Sequence, residues 1–411
     1  MKKTRAFVIF FLALEFFGTL ATLPAFADFQ LLDVIQEFGE KRYALLPPPH
    51  IRPWRNIRFH PVLRTKVEYD DNILLANQSE RRDIVYNLNP AAVVDIPSGR
   101  NRLTMGYESE FEIMTINSHQ NDVNQNFFIL GNAHFPSWYI NVLENFSETS
   151  SRSGTTFTTR IPRYDQAVHP KIGYRWKRTV FESGFRHFLR NFRRTVDGPL
   201  DFQTSEWTEI IYYDFFAHLK ALVEYQLAQI QYRHNSLRDG TFHQARAGFN
   251  CNLFPNFVAQ VRVGPQFRNY GASTKNDFAS WVGYASIEYE YKKKLKLNLS
   301  LIRQPAEATF QDINFYLEHG LRLGLEYKMG LRWTAFSQFK FIRERYAERA
   351  TVNEHTGFRR DNHILVKTGL RYRLLESLEV QLAYEYAMRD SNFSNFDYAD
   401  NRFSLSTDFQ Y

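Results

Sequence analysis

Lys294-Leu295-Lys296-Leu297-Asn298-Leu299-Ser300-Leu301 alternates strictly, one apolar residue for each polar one. In an extended chain successive side chains point to opposite faces, so this stretch is a strand with one greasy side and one wet side. The segment that follows, 312–327, repeats the pattern over a longer run. Ile313, Phe315, Leu317, Leu321, Leu323, Leu325 and Tyr327 fall on one side, and Asn314, Glu318, Arg322 and Glu326 on the other, with His319 as the one misfit on the apolar side. Further on, Ile364, Val366, Thr368, Leu370 and Tyr372 alternate with His363, Lys367, Arg371 and Arg373. Then Leu378, Val380, Leu382, Tyr384 and Tyr386 alternate with Glu379, Gln381 and Glu385.

Carried back to the start, the same period divides residues 58–411 into about eighteen strands, with sixteen as the other count the pattern allows. The ambiguity lies in 207–234, where Ile210, Ile211, Tyr212 and Tyr213 blur the alternation and a bulge or displaced turn is expected. Breaks after even strands are short, as at 97–100, 136, 292–293 and 376–377. Breaks after odd strands are longer, as at 149–165, 192–205, 346–361 and 390–400. No segment approaches the roughly 20 continuous apolar residues of a spanning helix, and the mean hydropathy is only −0.44. Yet 38 Phe and 23 Tyr recur in period with the strands.

A strand protein reconciles these facts if it sits in lipid. The bilayer offers backbone groups no hydrogen-bond partners, so strands cross it only as a closed barrel, apolar residues outward and polar ones toward water inside. The expected fold is therefore all-β: a transmembrane antiparallel up-and-down barrel with short periplasmic turns and long extracellular loops. Aromatics near strand ends, among them Trp138, Trp176, Trp333 and Tyr372, suit interfacial girdles.

The N-terminus agrees with that location. Lys2, Lys3 and Arg5 precede an apolar run from Ala6 to Leu14, and Ala25-Phe26-Ala27 supplies a small-residue cleavage site, so residues 1–27 read as a secretory signal. Residues 28–57 read as a periplasmic leader: Leu31, Leu32, Ile35 and Phe38 have helical spacing, and Pro47-Pro48-Pro49 ends the helix in an extended linker. The signal holds three of the 51 basic and one of the 44 acidic residues, leaving 48 against 43, a balance too even to imply a nucleic-acid partner. The single cysteine, Cys251, excludes an internal disulfide and is expected to face lipid.

The wet face is where function is sought. Lys171, Arg175 and Lys177 are expected to face Arg186 and Arg190 on the next strand, and Arg322, Lys367, Arg371 and Arg373 extend the cationic wall. Such a lumen favours anionic solutes; the plainer reading pairs each cation with a lumen carboxylate. There is no Gly-x-Ser-x-Gly elbow, His-Glu-x-x-His or P-loop, and the twelve His residues lack ligand spacing. No catalytic residue, metal or cofactor is expected.

Tyr69-Asp70-Asp71-Asn72-Ile73 ends the first strand, and its short Asp and Asn side chains suit a turn. Phe403, Leu405, Phe409 and Tyr411 form a last strand with a terminal aromatic, which resembles the signal outer-membrane barrels present to the insertion machinery. The Tyr69–Ile73 run, after a signal and leader in a chain of this size, resembles the β-barrel porins associated with exopolysaccharide synthesis and export loci. What the resemblance implies is an outer-membrane conduit for a secreted polysaccharide, working with periplasmic export proteins. The rival expectations are a small-solute diffusion porin and a closed barrel that acts as scaffold or adhesin through its outer loops.

Overall fold

The computed structural model describes residues 51–54, 56–150, 160–254, 256–271, 277–308, 313–352 and 355–411. The expected signal, the leader helix and most of the expected loop 149–165 lie outside the described residues. The strands are β1 (Ile51–Trp54), β2 (Ile57–Asp70), β3 (Asp83–Ser98), β4 (Asn101–Met114), β5 (Asp122–His134), β6 (Trp138–Thr149), β7 (Arg163–Trp176), β8 (Thr179–Phe192), β9 (Phe202–Phe216) and β10 (Leu219–Tyr232). They continue as β11 (Gly240–Phe254), β12 (Phe257–Tyr270), β13 (Phe278–Tyr291), β14 (Leu295–Glu307), β15 (Phe315–Lys328), β16 (Trp333–Val352), β17 (His355–Leu375), β18 (Leu378–Ser391) and β19 (Tyr398–Gln410).

Each strand from β2 to β19 pairs antiparallel with its sequence neighbours, and β19 returns to β2 with Phe403 opposite Tyr69 and Phe409 opposite Leu63. The result is a closed ring of eighteen strands with no free edge. The sequence placed β1 in an extended linker. It pairs instead with β2, Ile51 opposite Phe59, just below the point where β19 ends with Gln410 opposite Val62. β3 already occupies the other edge of β2, so this short strand covers the last stretch of the closing seam.

Sidedness follows from the pleat. In β10, Leu222, Glu224, Gln226, Ala228 and Ile230 are buried, while Val223, Tyr225 and Leu227 between them are exposed. The charged and amide residues of this strand share the inward row with Leu222, Ala228 and Ile230, and the outward row carries its large exposed apolar residues. No helix among the described residues is long and apolar enough to cross a membrane; the crossing is made by strands. At the end with two-residue turns such as 177–178 and 376–377, exposed Trp138 packs against Tyr174 and Trp333 against Tyr372, each pair tilted with ring centroids 4.6 Å apart. These pairs form the aromatic girdle of that end.

The structure corrects two expectations, on 346–361 and on Lys177, and adds detail to two others. The expected loop 346–361 is mostly strand, because β16 and β17 run on to Val352 and His355 as a hairpin that outlasts its neighbours. The blurred region 207–234 is two strands, and the irregularity expected there is a register shift beside Leu219. Its alternation fails because the inner face is apolar there too: Ile210, Tyr212, Leu222 and Val180 pack into one cluster. Lys177 lies in the turn after β7, at a φ of 54°, rather than on the wall, since a two-residue hairpin demands positive φ. Cys251 is on an outward row but is covered by its neighbours, at 7% exposure.

Candidate functional site

The candidate site is the inward wall, and strand register decides its chemistry. Glu224 on β10 stands opposite Arg246 on β11, and Arg262 follows on β12. Arg246 Nε donates to Glu224 Oε1 at 2.9 Å and Arg262 donates to Oε2 at 2.8 Å, so one carboxylate holds two guanidinium groups. All three are buried. Beside them Gly248 and Gly264 let the strands come close: a Cβ on either would lie 1.9 Å from a carbonyl oxygen of the adjacent strand, Val261 or Ala245. One rung toward the loop end, Gln266 donates to Gln244 at 3.0 Å and Gln244 to Gln226 at 2.8 Å, an amide ladder across three strands. Beyond that rung Arg268 bonds Glu307, which also accepts from the Tyr232 hydroxyl at 2.9 Å.

The residues singled out from sequence are distributed around the same wall. Lys171 lies 3.3 Å from Glu182, Arg186 3.5 Å from Glu206, and Arg190 2.8 Å from Asp165, which Arg163 also bonds at 3.0 Å. Arg175 reaches Asp214 at 3.2 Å near the turn end. On the far side Lys367 meets Glu385 at 3.2 Å and Arg371 meets Glu326 at 3.1 Å. Arg373 stands opposite Glu379, and Arg322 opposite Lys340. Lys171, Arg186 and Arg190 thus share one sector with their carboxylates rather than forming an uncompensated cationic patch. Sequence reading had not named Asp165, Glu206 or Glu224. Counting alternate residues inward from Leu222 yields Glu224, but only register pairs it with Arg246 and Arg262.

The Tyr69–Ile73 run does more than turn. The Asn72 backbone N–H donates to Asp70 Oδ1 at 2.9 Å, while its side-chain amide donates to the carbonyls of Ala76 and Ala399, both at 2.9 Å. Asp71 accepts from the Asn401 backbone at 2.7 Å and from its side chain at 2.8 Å. Both of these reach β19, so the motif clasps the first and last strands of the ring together. Phe403, Leu405, Phe409 and Tyr411 are exposed on the outer side of that same seam.

Among the described residues, two groups of side chains have donor sets suited to a cation: Asp70, Asp71 and Asp400, and Glu344, Asp361 and His363. Guanidinium groups already supply positive charge at both. Arg402 lies 3.3 Å from Asp70 and bonds Asp400, and Arg359 bonds Asp361 at 3.0 Å.

The model of a protein family described as "Putative beta-barrel porin 2" matches residues 201–411. No curated protein matches the chain. Among solved structures, the outer membrane protein opdK from Pseudomonas aeruginosa is similar at a TM-score of 0.47 and 10% identity, covering 86% of this chain and 99% of its own. OccAB3 from Acinetobacter baumannii is similar at 0.46 and 10%, covering 86% and 99%. A BenF-like porin from Pseudomonas fluorescens Pf-5 is similar at 0.47 and 9%, covering 87% and 99%. Similarity of this degree is silent about the solute.

Proposed function

We propose, because this chain belongs to the family described as "Putative beta-barrel porin 2", that its outer-membrane barrel is a diffusion porin for small hydrophilic solutes. The observation that carries this reading is the neutralised wall. A track for a polyanion needs unpaired cations at spacings the polymer can occupy. Here Lys171, Arg186, Arg190, Arg246, Arg262, Lys367 and Arg371 each have a carboxylate at hand. Where the paired charges are half-exposed, as at Lys367–Glu385 and Arg371–Glu326, such a wall offers short-lived hydrogen bonds to small polar molecules of either sign. Both ends of the eighteen-strand ring lie at the short-turn end, which belongs in the periplasm, with the longer connections outside.

The second reading, a conduit for an anionic exopolysaccharide that works with periplasmic export proteins, is favoured by the Tyr69–Ile73 run. Planar-bilayer recording of the refolded mature protein separates the two. The expected result is ohmic conductance with weak ion selectivity and no block by micromolar acidic polysaccharide. Reversible block of that current from the periplasmic side would favour the conduit. Silence of a protein shown to be folded and inserted would count against both readings.

A further inference from the structure

The lipid-facing surface carries a feature that solute passage does not use. On β14 the outward row runs Leu297, Leu299, Leu301 and then Arg303. On β15 it runs Leu325, Leu323, Leu321 and then His319; on β16, Phe339, Phe341 and then Arg343 and Arg345. On β17 it runs Val366, Ile364 and then Asn362 and Arg360. Register aligns these changes. Leu301, Leu321, Phe341 and Ile364 form one rung, and Arg303, His319, Arg343 and Asn362 form the next. One rung farther toward the loops, Arg345 stands directly opposite Arg360. The apolar rungs therefore give way to a cationic rim, on which Leu317 of β15, opposite Arg345, is the apolar member.

Among the described residues none neutralises that rim. Arg343, Arg345 and Arg360 are exposed, and among the described residues no carboxylate lies within 4.0 Å of any of them. The acid nearest in register, Asp390 on β18, faces Asn362, whose amide donates to it at 3.4 Å. Arg303 gives its Nε hydrogen to His319 Nε2 at 3.2 Å and lies over the Trp281 ring at 4.1 Å. Like charges directly opposite on paired strands repel, so Arg345 and Arg360 raise the barrel's energy unless an anion lies between them. Elsewhere the loop-end rim is different. Across β9–β12 the corresponding outward residues are Gln203, Gln229, Gln231, Thr241 and Asn269, with Gln203 bonded to Gln231 at 2.7 Å.

We propose that the outer rim of β14–β17 is a binding site for a phosphate-bearing lipid of the leaflet at the loop end. Guanidinium forks match phosphate oxygens two by two and stay charged at any relevant pH. Arg343, Arg345 and Arg360 hold the phosphate, and Leu301, Leu321, Phe341 and Ile364, one rung below, lie against the acyl chains. This apolar rung, continuous with the cations, commits the site to a lipid rather than to free phosphate. The Trp281 ring at the same level, with its exposed face, belongs where chain and headgroup meet.

Native mass spectrometry of the full mature protein in detergent tests the site, with bisphosphorylated lipid A, its dephosphorylated form and phosphatidylethanolamine as probes. The wild type is expected to retain the bisphosphorylated lipid at least tenfold better than the dephosphorylated one, and excess inorganic phosphate is not expected to displace it. The combined change Arg343→Gln, Arg345→Gln and Arg360→Gln should abolish that preference, while Arg178→Gln with Arg332→Gln at the turn end should leave it intact. Should the combined variant not fold, Arg345→Gln alone is expected to lose at least threefold. Equal retention of phosphorylated and dephosphorylated lipid, unchanged preference in the rim variants, or displacement by inorganic phosphate would each overturn the proposal. Retention is read without any conductance, so this site and the porin reading stand or fall separately.

Discussion

Arg262 and Arg345 mark the two ways this barrel carries a guanidinium. Arg262 is wholly buried on the inner wall and shares Glu224 with Arg246. Arg345 is exposed on the outer rim and faces another arginine. The difference follows from what surrounds each group. A buried charge has lost its water and must find its counter-charge within the protein. A rim charge has water and headgroups beside it, so its counter-charge need not be encoded in the chain. The inner wall is thus a self-contained electrostatic structure, while the rim between β14 and β17 is completed from outside.

If that contrast holds, breaking an inner pair gives the largest effect. Glu224→Gln leaves Arg246 and Arg262 buried around a neutral amide. Removing one partner of a buried pair costs about 3 to 5 kcal/mol, and here two cations lose the same partner. Urea unfolding in liposomes, followed by tryptophan fluorescence, is expected to show a loss of that order. A loss below about 1 kcal/mol would mean that water reaches the group freely, and the inner wall would then be no different from the rim.

The second test compares neighbours on one strand. Leu299 faces outward and Asn298 inward on β14, so Leu299→Arg brings a charge to lipid and Asn298→Arg brings one to the lumen. The lipid-facing change is expected to cost about 2 to 4 kcal/mol at mid-depth and the lumen change far less. Equal costs in the same unfolding assay would erase the sidedness from which all the assignments on β14 are drawn.

What was legible in the sequence follows the same division. Lys294–Leu301 announces β14 because lipid requires an unbroken apolar row on one side, and a period of two is visible without knowing any partner. The region of Ile210 and Tyr212 was opaque because its inner face is apolar as well, which removes the contrast that alternation depends on. The hairpin of β16 and β17 was misread as loop since, beyond the hydrocarbon, Arg349 and Thr351 on β16 have no lipid to oppose and the pattern lapses. Glu224 and Glu206 were missed as site residues for a different reason. Which carboxylate meets which cation depends on the offset between strands, and no single strand contains that information. The Asp71 contact with Asn401 joins residues 330 positions apart and is invisible locally for the same cause.

The smallest expected effect is the sharpest for the comparison. Arg345→Gln removes a charge with no carboxylate partner among the described residues and an arginine directly opposite. A surface substitution away from packing or pairing changes stability by about 0.5 kcal/mol or less, and loss of like-charge repulsion with Arg360 pushes the change toward stabilisation. In detergent lacking phosphorylated lipid, the unfolding midpoint of this variant should equal or slightly exceed that of wild type. In liposomes that contain such lipid the order should reverse, because a ligand that binds only the folded barrel stabilises wild type more than the variant. A crossover between the two media is what a rim completed by lipid requires. If the variant were less stable in both, the arginine would be serving the fold itself, and the inner and outer cations would obey one rule after all.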